Sequence, residues 1–146
     1  MLYLPGVTKS TRTRFQAHSR AFKRGEYYIL QPDQASKGIR VELWPWKYSE
    51  SEEYEKNKHL VLEDAEKQLS SMRVFVTEEP DPRFRKRIES AIANNLYNSK
   101  ESWSELIDRG MNVDDPIWED YGETPIEIKN NCEHKIYGLP EILKLY

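Results

Sequence analysis

The chain carries one cysteine, Cys132, so no internal disulfide can form and no thiolate metal site can be built within it. A protein without disulfides suits a reducing, cytoplasmic setting. No run of apolar residues approaches the length needed to cross a bilayer, and residues 1–9 lack the apolar stretch of a secretory signal. The sequence therefore reads as soluble and intracellular, with no membrane partner. The six glycines are dispersed, and none forms a glycine-rich loop after a strand, which excludes the usual dinucleotide cradle. No internal repeat or low-complexity tract is present.

What the chain does have is bulk and unevenly placed charge. Four Trp, nine Tyr and four Phe supply enough apolar surface to argue against disorder, although 32% of the residues are charged. At 146 residues the length is that of one domain. The net charge is only −3, yet residues 1–30 hold Lys9, Arg12, Arg14, Arg20, Lys23 and Arg24 against Glu26 as their one acid. Between Asp108 and Glu123 the sign reverses, with Asp114, Asp115, Glu119 and Asp120 against Arg109. Such asymmetry suits a protein that turns one positive face to a polyanion, and also suits two complementary faces of a self-associating protein.

The local patterns predict the following elements. Leu2 to Leu4 reads as a short edge strand stopped by Pro5-Gly6. Ser10 or Thr11 caps a helix over residues 11–24 with an apolar stripe of Phe15, Ala17, Ala21 and Phe22, ended by Lys23-Arg24-Gly25. Tyr27 to Leu30 and Ile39 to Leu43 read as extended, joined by a polar loop from Gln31 to Gly38. Residues 52–70 read as a helix with Tyr54, His59, Val61, Leu62, Ala65 and Leu69 on its apolar face. Arg73 to Thr77 reads as a strand, with Val74 and Val76 on one side. Asp81-Pro82 supplies an N-cap and an N1 proline for a helix that turns Phe84, Ile88, Ala91, Ile92 and Leu96 inward. A short helix over Glu101 to Asp108 and an acidic loop from Met111 to Gly122 follow. Thr124 to Lys129 and His134 to Tyr137 suggest a hairpin around Asn130-Asn131, before Gly138-Leu-Pro leads into a tail. The expected class is α+β, a small mixed or antiparallel sheet flanked by helices.

Three groups of residues could carry chemistry. Arg14 and His18 are four apart on a helix, so guanidinium and imidazole share a face and can meet one small anion. The bland reading of Arg14 is a solvated helix residue, and that of His18 a satisfied histidine at the core edge. Against it stands the company of Lys9 and Arg12 near the positive end of the helix; arginine's planar fork also suits phosphate. Glu89 borders the apolar face of its helix, where a carboxylate needs a cation; the bland alternative is an ion pair with Arg85 one turn back. Asn98 closes the same segment and reads equally well as a helix cap.

Taken together, Tyr3-Leu-Pro-Gly6, the polar turn through Lys9 and Ser10, and the helix with Arg14 and His18 resemble the second half of the GIY-YIG nuclease signature. Val74-Phe-Val-Thr followed by Arg87-Ile-Glu89 is similar to the passage in which that family places its metal-binding glutamate, and Leu96-Tyr-Asn98 to its later asparagine. The resemblance covers residues 1–98 and leaves residues 99–146 as a C-terminal extension packed on the same domain. Pro5 adds a residue between Tyr3 and Gly6, and the family's Gly-Ile-Tyr strand, with the tyrosine usually assigned as general base, has no counterpart. Its expected place is before residue 1, in a chain either truncated or impaired in catalysis. Tyr27-Tyr28 and Ile136-Tyr-Gly138 stand in the wrong order relative to the arginine helix and are set aside.

The resemblance implies a metal-dependent endonuclease acting on DNA phosphodiester bonds. Arg14, His18 and Tyr3 would be catalytic, Glu89 would hold one Mg²⁺ or Mn²⁺ ion, and Lys9, Arg12 and Asn98 would contact DNA. The alternative is a non-catalytic relative that binds nucleic acid or protein; a third reading is an interaction protein using its Trp and Tyr surface. An unpaired edge at Leu2 to Leu4 further predicts a homodimer.

Overall fold

The computed structural model describes residues 10–74, 76, 79–106, 118, 121–131 and 138–145. The fold is α+β: among the described residues, helices with two antiparallel strand pairs, where a small mixed or antiparallel sheet was expected. The chain divides into two compact units, one within Thr8–Val76 and one within Thr77–Tyr146, so the stretch 1–98 grouped by the resemblance spans both. Among the described residues no helix is long and apolar enough to cross a membrane.

The first unit opens with helix α1, Thr11–Lys23, capped by Ser10, whose hydroxyl accepts from the Thr13 backbone N–H at 3.3 Å. Such a cap contributes about 1 kcal/mol. Gly25 ends the helix in the left-handed region (φ 69°), and the N–H groups of Gly25 and Glu26 bond back to Phe22 and Ala21. That turn sends the chain back toward α1 and core. Strand β1, Ile29–Leu30, pairs with β2, Glu42–Trp44, through Ile29 with Trp44 and Leu30 with Glu42, with a register slip between. The loop expected from Gln31 to Gly38 contains a single helical turn, α2, Pro32–Ala35, opened by its N1 proline.

Helix α3, Tyr54–Ser71, closes the unit; its Tyr54, Val61 and Ala65 join Phe22 and Ile29 in the core, and Tyr27, Trp44, Tyr48, Leu69 and Met72 pack around them. Gln68 is buried as well and accepts from the Leu30 N–H with its side-chain oxygen, satisfying a β1 donor beside the register slip. His59 and Leu62, expected on the apolar face, are exposed. The strand expected over Arg73 to Thr77 is absent among its described residues, where Val74 and Val76 are 56% and 64% exposed.

The second unit is built on helix α4, Pro82–Tyr97. Its cap is as expected, the Asp81 carboxylate accepting from Arg83 N–H at 2.8 Å and Phe84 N–H at 3.3 Å. Ala91 and Leu96 are buried; Ile88, Ile92 and Phe84 are only half-buried, whereas Arg87, Ser90 and Ala93 are buried. Within the short helix expected over Glu101 to Asp108, Ser102–Leu106 forms a 3₁₀ helix, and the last two positions lie outside the described residues. Strand β3, Ile126–Lys129, pairs antiparallel with β4, Ile142–Leu145, a segment expected to be a tail; the expected partner, His134 to Tyr137, lies outside the described residues. The pairing places Leu143 in the core and Lys144 on Glu127 at 2.9 Å.

One clamp in this unit is electrostatic. The Arg83 guanidinium grips both oxygens of Glu123 at 2.6 and 2.8 Å and lies over the Trp118 ring at 3.8 Å, while Trp118 N–H donates to the same carboxylate at 2.7 Å. The Arg83 bond, aided by the Trp118 N–H and the Arg83 and Arg87 charges, pulls the Glu123 carboxyl from 4.5 down to about 2. A pKa lowered by folding stabilises the protein above the unfolded value and is lost as the pH falls through the folded one. The melting-temperature difference between wild type and Glu123→Gln should therefore be largest above pH 4.5 and shrink as the pH falls toward 2. A difference independent of pH would remove the clamp from the protein's acid sensitivity.

Candidate phosphate site on the first helix

Helix α1 contains Arg12, Arg14, Arg20 and Lys23 and no carboxylate. Toward its C-terminal end the cations are engaged: Lys23 bonds Glu66 at 2.8 Å and the Arg20 Nε bonds the Gln16 carbonyl at 3.3 Å. Arg12 and Arg14 lie exposed in the first turns, where the positive end of the helix dipole adds to their charge. The helix buries only Ala21 and Phe22; Phe15, expected on the apolar stripe, is 48% exposed, and Ala17 is exposed too. The core thus holds the C-terminal half of α1 and leaves its arginine-bearing half in solvent.

His18 stands where the two halves meet. Its Nδ1 lies 3.0 Å from the Tyr27 hydroxyl, with the rings 5.7 Å apart, and its Nε2 is buried without a partner among the described residues. Burial first, and then the charge of Arg14 one turn earlier, lower its pKa below 6.5, so the imidazole is neutral at pH 7. A proton on Nδ1 would donate to the Tyr27 oxygen and leave a lone pair on Nε2; the other tautomer accepts from the tyrosine and leaves Nε2–H unbonded. In either case the ring is an uncharged hydrogen-bonding group beside a guanidinium.

Tyr27 is the residue the sequence reading set aside. Its placement follows from Gly25: once the chain reverses at a left-handed glycine, Tyr27 comes back beside Phe22 and His18, and its ring meets Phe22 edge-on at 5.1 Å. The available signal was a tyrosine shortly after a glycine helix end.

The remaining predicted residues are dispersed along the chain. Tyr3 and Lys9 lie outside the described residues. Glu89 sits half-buried on α4, in the second unit. On the same helix Arg85 is engaged at the N-terminal end, bonding the carbonyls of Glu79 and, at 3.1 Å, Pro80. Asn98 is the C-cap of α4: its backbone N–H bonds the Asn94 carbonyl at 3.0 Å and its side chain the Asn94 side chain. Among the described residues no group of three or more His, Cys, Asp or Glu could hold a metal ion. Comparison with protein-family models, curated proteins and solved structures yields no match.

Proposed function

We propose that the protein binds nucleic acid, holding backbone phosphates with Arg12 and Arg14 at the N-terminal end of α1. The observation that carries this reading is a helix with four cations and no anion whose two N-terminal arginines are exposed while its other end is anchored in the core. A guanidinium cannot lose its proton at working pH, and a rigid helix fixes where the two forks point. Phosphate contacts give salt-sensitive, sequence-tolerant binding. In a titration of a labelled DNA oligonucleotide followed by anisotropy, affinity should fall steeply as salt is raised. Arg14→Ala should weaken binding and reduce the slope of log affinity against log salt by about 1. Lys58→Ala, which removes an equal charge from α3, should leave that slope in place. Equal slopes for wild type and Arg14→Ala would end the reading.

A second reading, that the site also cleaves the phosphodiester it holds, is favoured by the His18–Tyr27 pair beside Arg14, since an imidazole and a phenol can relay a proton. It matches the GIY-YIG resemblance. Glu89, the carboxylate that the resemblance assigns to Mg²⁺ or Mn²⁺, stands on α4 in the second unit, and this reading draws only on residues of the first. DNA cleavage with Mg²⁺ that His18→Ala abolishes, while leaving binding intact, would support it; cleavage unchanged in His18→Ala would exclude a proton relay through that pair.

A further inference from the structure

The Arg14–His18 face of α1 does not end at Tyr27. The Tyr27 ring continues into Trp46, stacked at 5.4 Å with 18° between the planes, and Tyr28 reaches the same indole at 5.8 Å. Arg40 lies over Tyr28 at 4.6 Å from its centroid. Trp46 is nonetheless 41% exposed.

Trp44 shows what a packing tryptophan looks like in this unit. It is half-buried against the core, its ring lies 4.7 Å from that of Tyr48, and its indole N–H donates to Asp64 at 2.9 Å. Trp46 has no such bond for its N–H among the described residues and is an exposed residue. Its position is held by the backbone: Lys47 N–H bonds the Glu26 carbonyl at 3.3 Å, Ser49 N–H bonds the Gly25 carbonyl at 3.1 Å, and Lys47 takes a left-handed conformation (φ 56°) that a side-chain-bearing residue adopts at a cost. The chain thus adopts a costly turn to present an exposed indole beside the end of the arginine helix.

We propose that the ligand of this unit is a single-stranded nucleic acid, DNA or RNA, with a base stacked on the exposed Trp46 while Arg12 and Arg14 hold phosphates. The inference rests on the phosphate reading above and names its substrate class. A base can lie on an indole only when it has left the stack of a duplex, so the platform discriminates for single strands, and every base has a face to offer. Two ring spacings separate His18 from Trp46, a span on the order of a nucleotide or two. Charge agrees: Glu42 is paired with Arg40 at 2.8 Å and Glu50 with Lys47 at 3.0 Å, so neither of these acids adds an uncompensated negative charge to the segment that carries Trp46. A pre-formed platform also avoids the ordering cost of a mobile aromatic.

The test uses the full chain and three probes: a short oligothymidylate, an oligouridylate of equal length, and a DNA duplex of that length. Trp46→Ala should weaken single-strand binding about ten- to a hundredfold and duplex binding by less than about twofold. Trp46→Phe, which keeps a ring, should retain most of the single-strand affinity, and circular dichroism should show both variants folded. The two single strands bind alike if stacking and phosphate contacts are the whole of recognition; a preference for one assigns that chemistry as the ligand. Single-strand affinity unchanged in Trp46→Ala, with Arg14→Ala weakening all probes, would overturn the platform and leave the phosphate reading standing. Binding of none of the probes at low salt would sink the phosphate reading itself and the platform with it. A dimer in sedimentation that Trp46→Ala dissolves, with single-strand binding unaltered, would assign the face to a second copy and also overturn the proposal.

Discussion

Replacing Phe22 with alanine is expected to cost about 3–5 kcal/mol of stability, the range for emptying a buried aromatic site. Phe22 is 1% exposed and touches the Tyr27 edge at 5.1 Å within the cluster of Ile29, Tyr54, Val61 and Ala65. It is also the only large side chain that α1 buries, so the cavity would loosen the helix that carries Arg14 and His18 and the contact that places Tyr27. Phe15→Ala is the matching control. That ring is 48% exposed, and its loss should cost no more than about 0.5 kcal/mol. Urea unfolding of the two variants decides the matter; similar midpoints would mean that α1 is not anchored through Phe22.

The contrast between these phenylalanines marks what the sequence could and could not tell. Phe15 and Phe22 are seven residues apart and share a face, so periodicity assigns both to the apolar stripe. Periodicity gives the face of a helix but not how far the core runs along it, and here the core reaches only the last turns. The same limit explains α3, where Leu62 had as good a claim as Val61 yet is exposed, while the polar Gln68 is buried because a strand donor needed its oxygen. Features set by adjacent residues were legible: the Ser10 and Asp81 caps, the glycine end of α1, and the N1 proline of α4 each rest on contacts within a few positions. Pairing between distant segments was not. Nothing local marks Ile142 to Leu145, which reads as a tail, as a strand that pairs with β3. The candidate site divides the same way. Arg14 with His18 is a helical spacing and could be read directly; Tyr27 and Trp46 join it only through the reversal at Gly25 and backbone bonds from Lys47 and Ser49, which have no signature in composition.

Gly138→Ala should destabilise the second unit by about 2–4 kcal/mol, with a fall in melting temperature of roughly 10–20 °C. Two penalties add. Gly138 has φ 88°, a conformation that costs an alanine about 1 kcal/mol, and a Cβ placed there would sit 2.6 Å from Cη2 and 2.8 Å from Cζ2 of Trp103. The indole cannot bend away as a flexible chain would, and Gly138 cannot shift freely, because its carbonyl accepts from the Asn95 side chain at 3.2 Å and the chain soon enters β4, where Leu143 is buried. Gly122 separates the two terms: it has φ 70° with nothing within 4 Å of a Cβ, so Gly122→Ala should show the backbone penalty alone. In a Trp103→Leu background the obstructing ring is gone, and Gly138→Ala should then cost no more than Gly122→Ala, a coupling of about 1–3 kcal/mol between two residues in direct contact. If Gly138→Ala is equally costly with and without the indole, the contact between Gly138 and Trp103 does not position β4, and the loss belongs to the backbone alone.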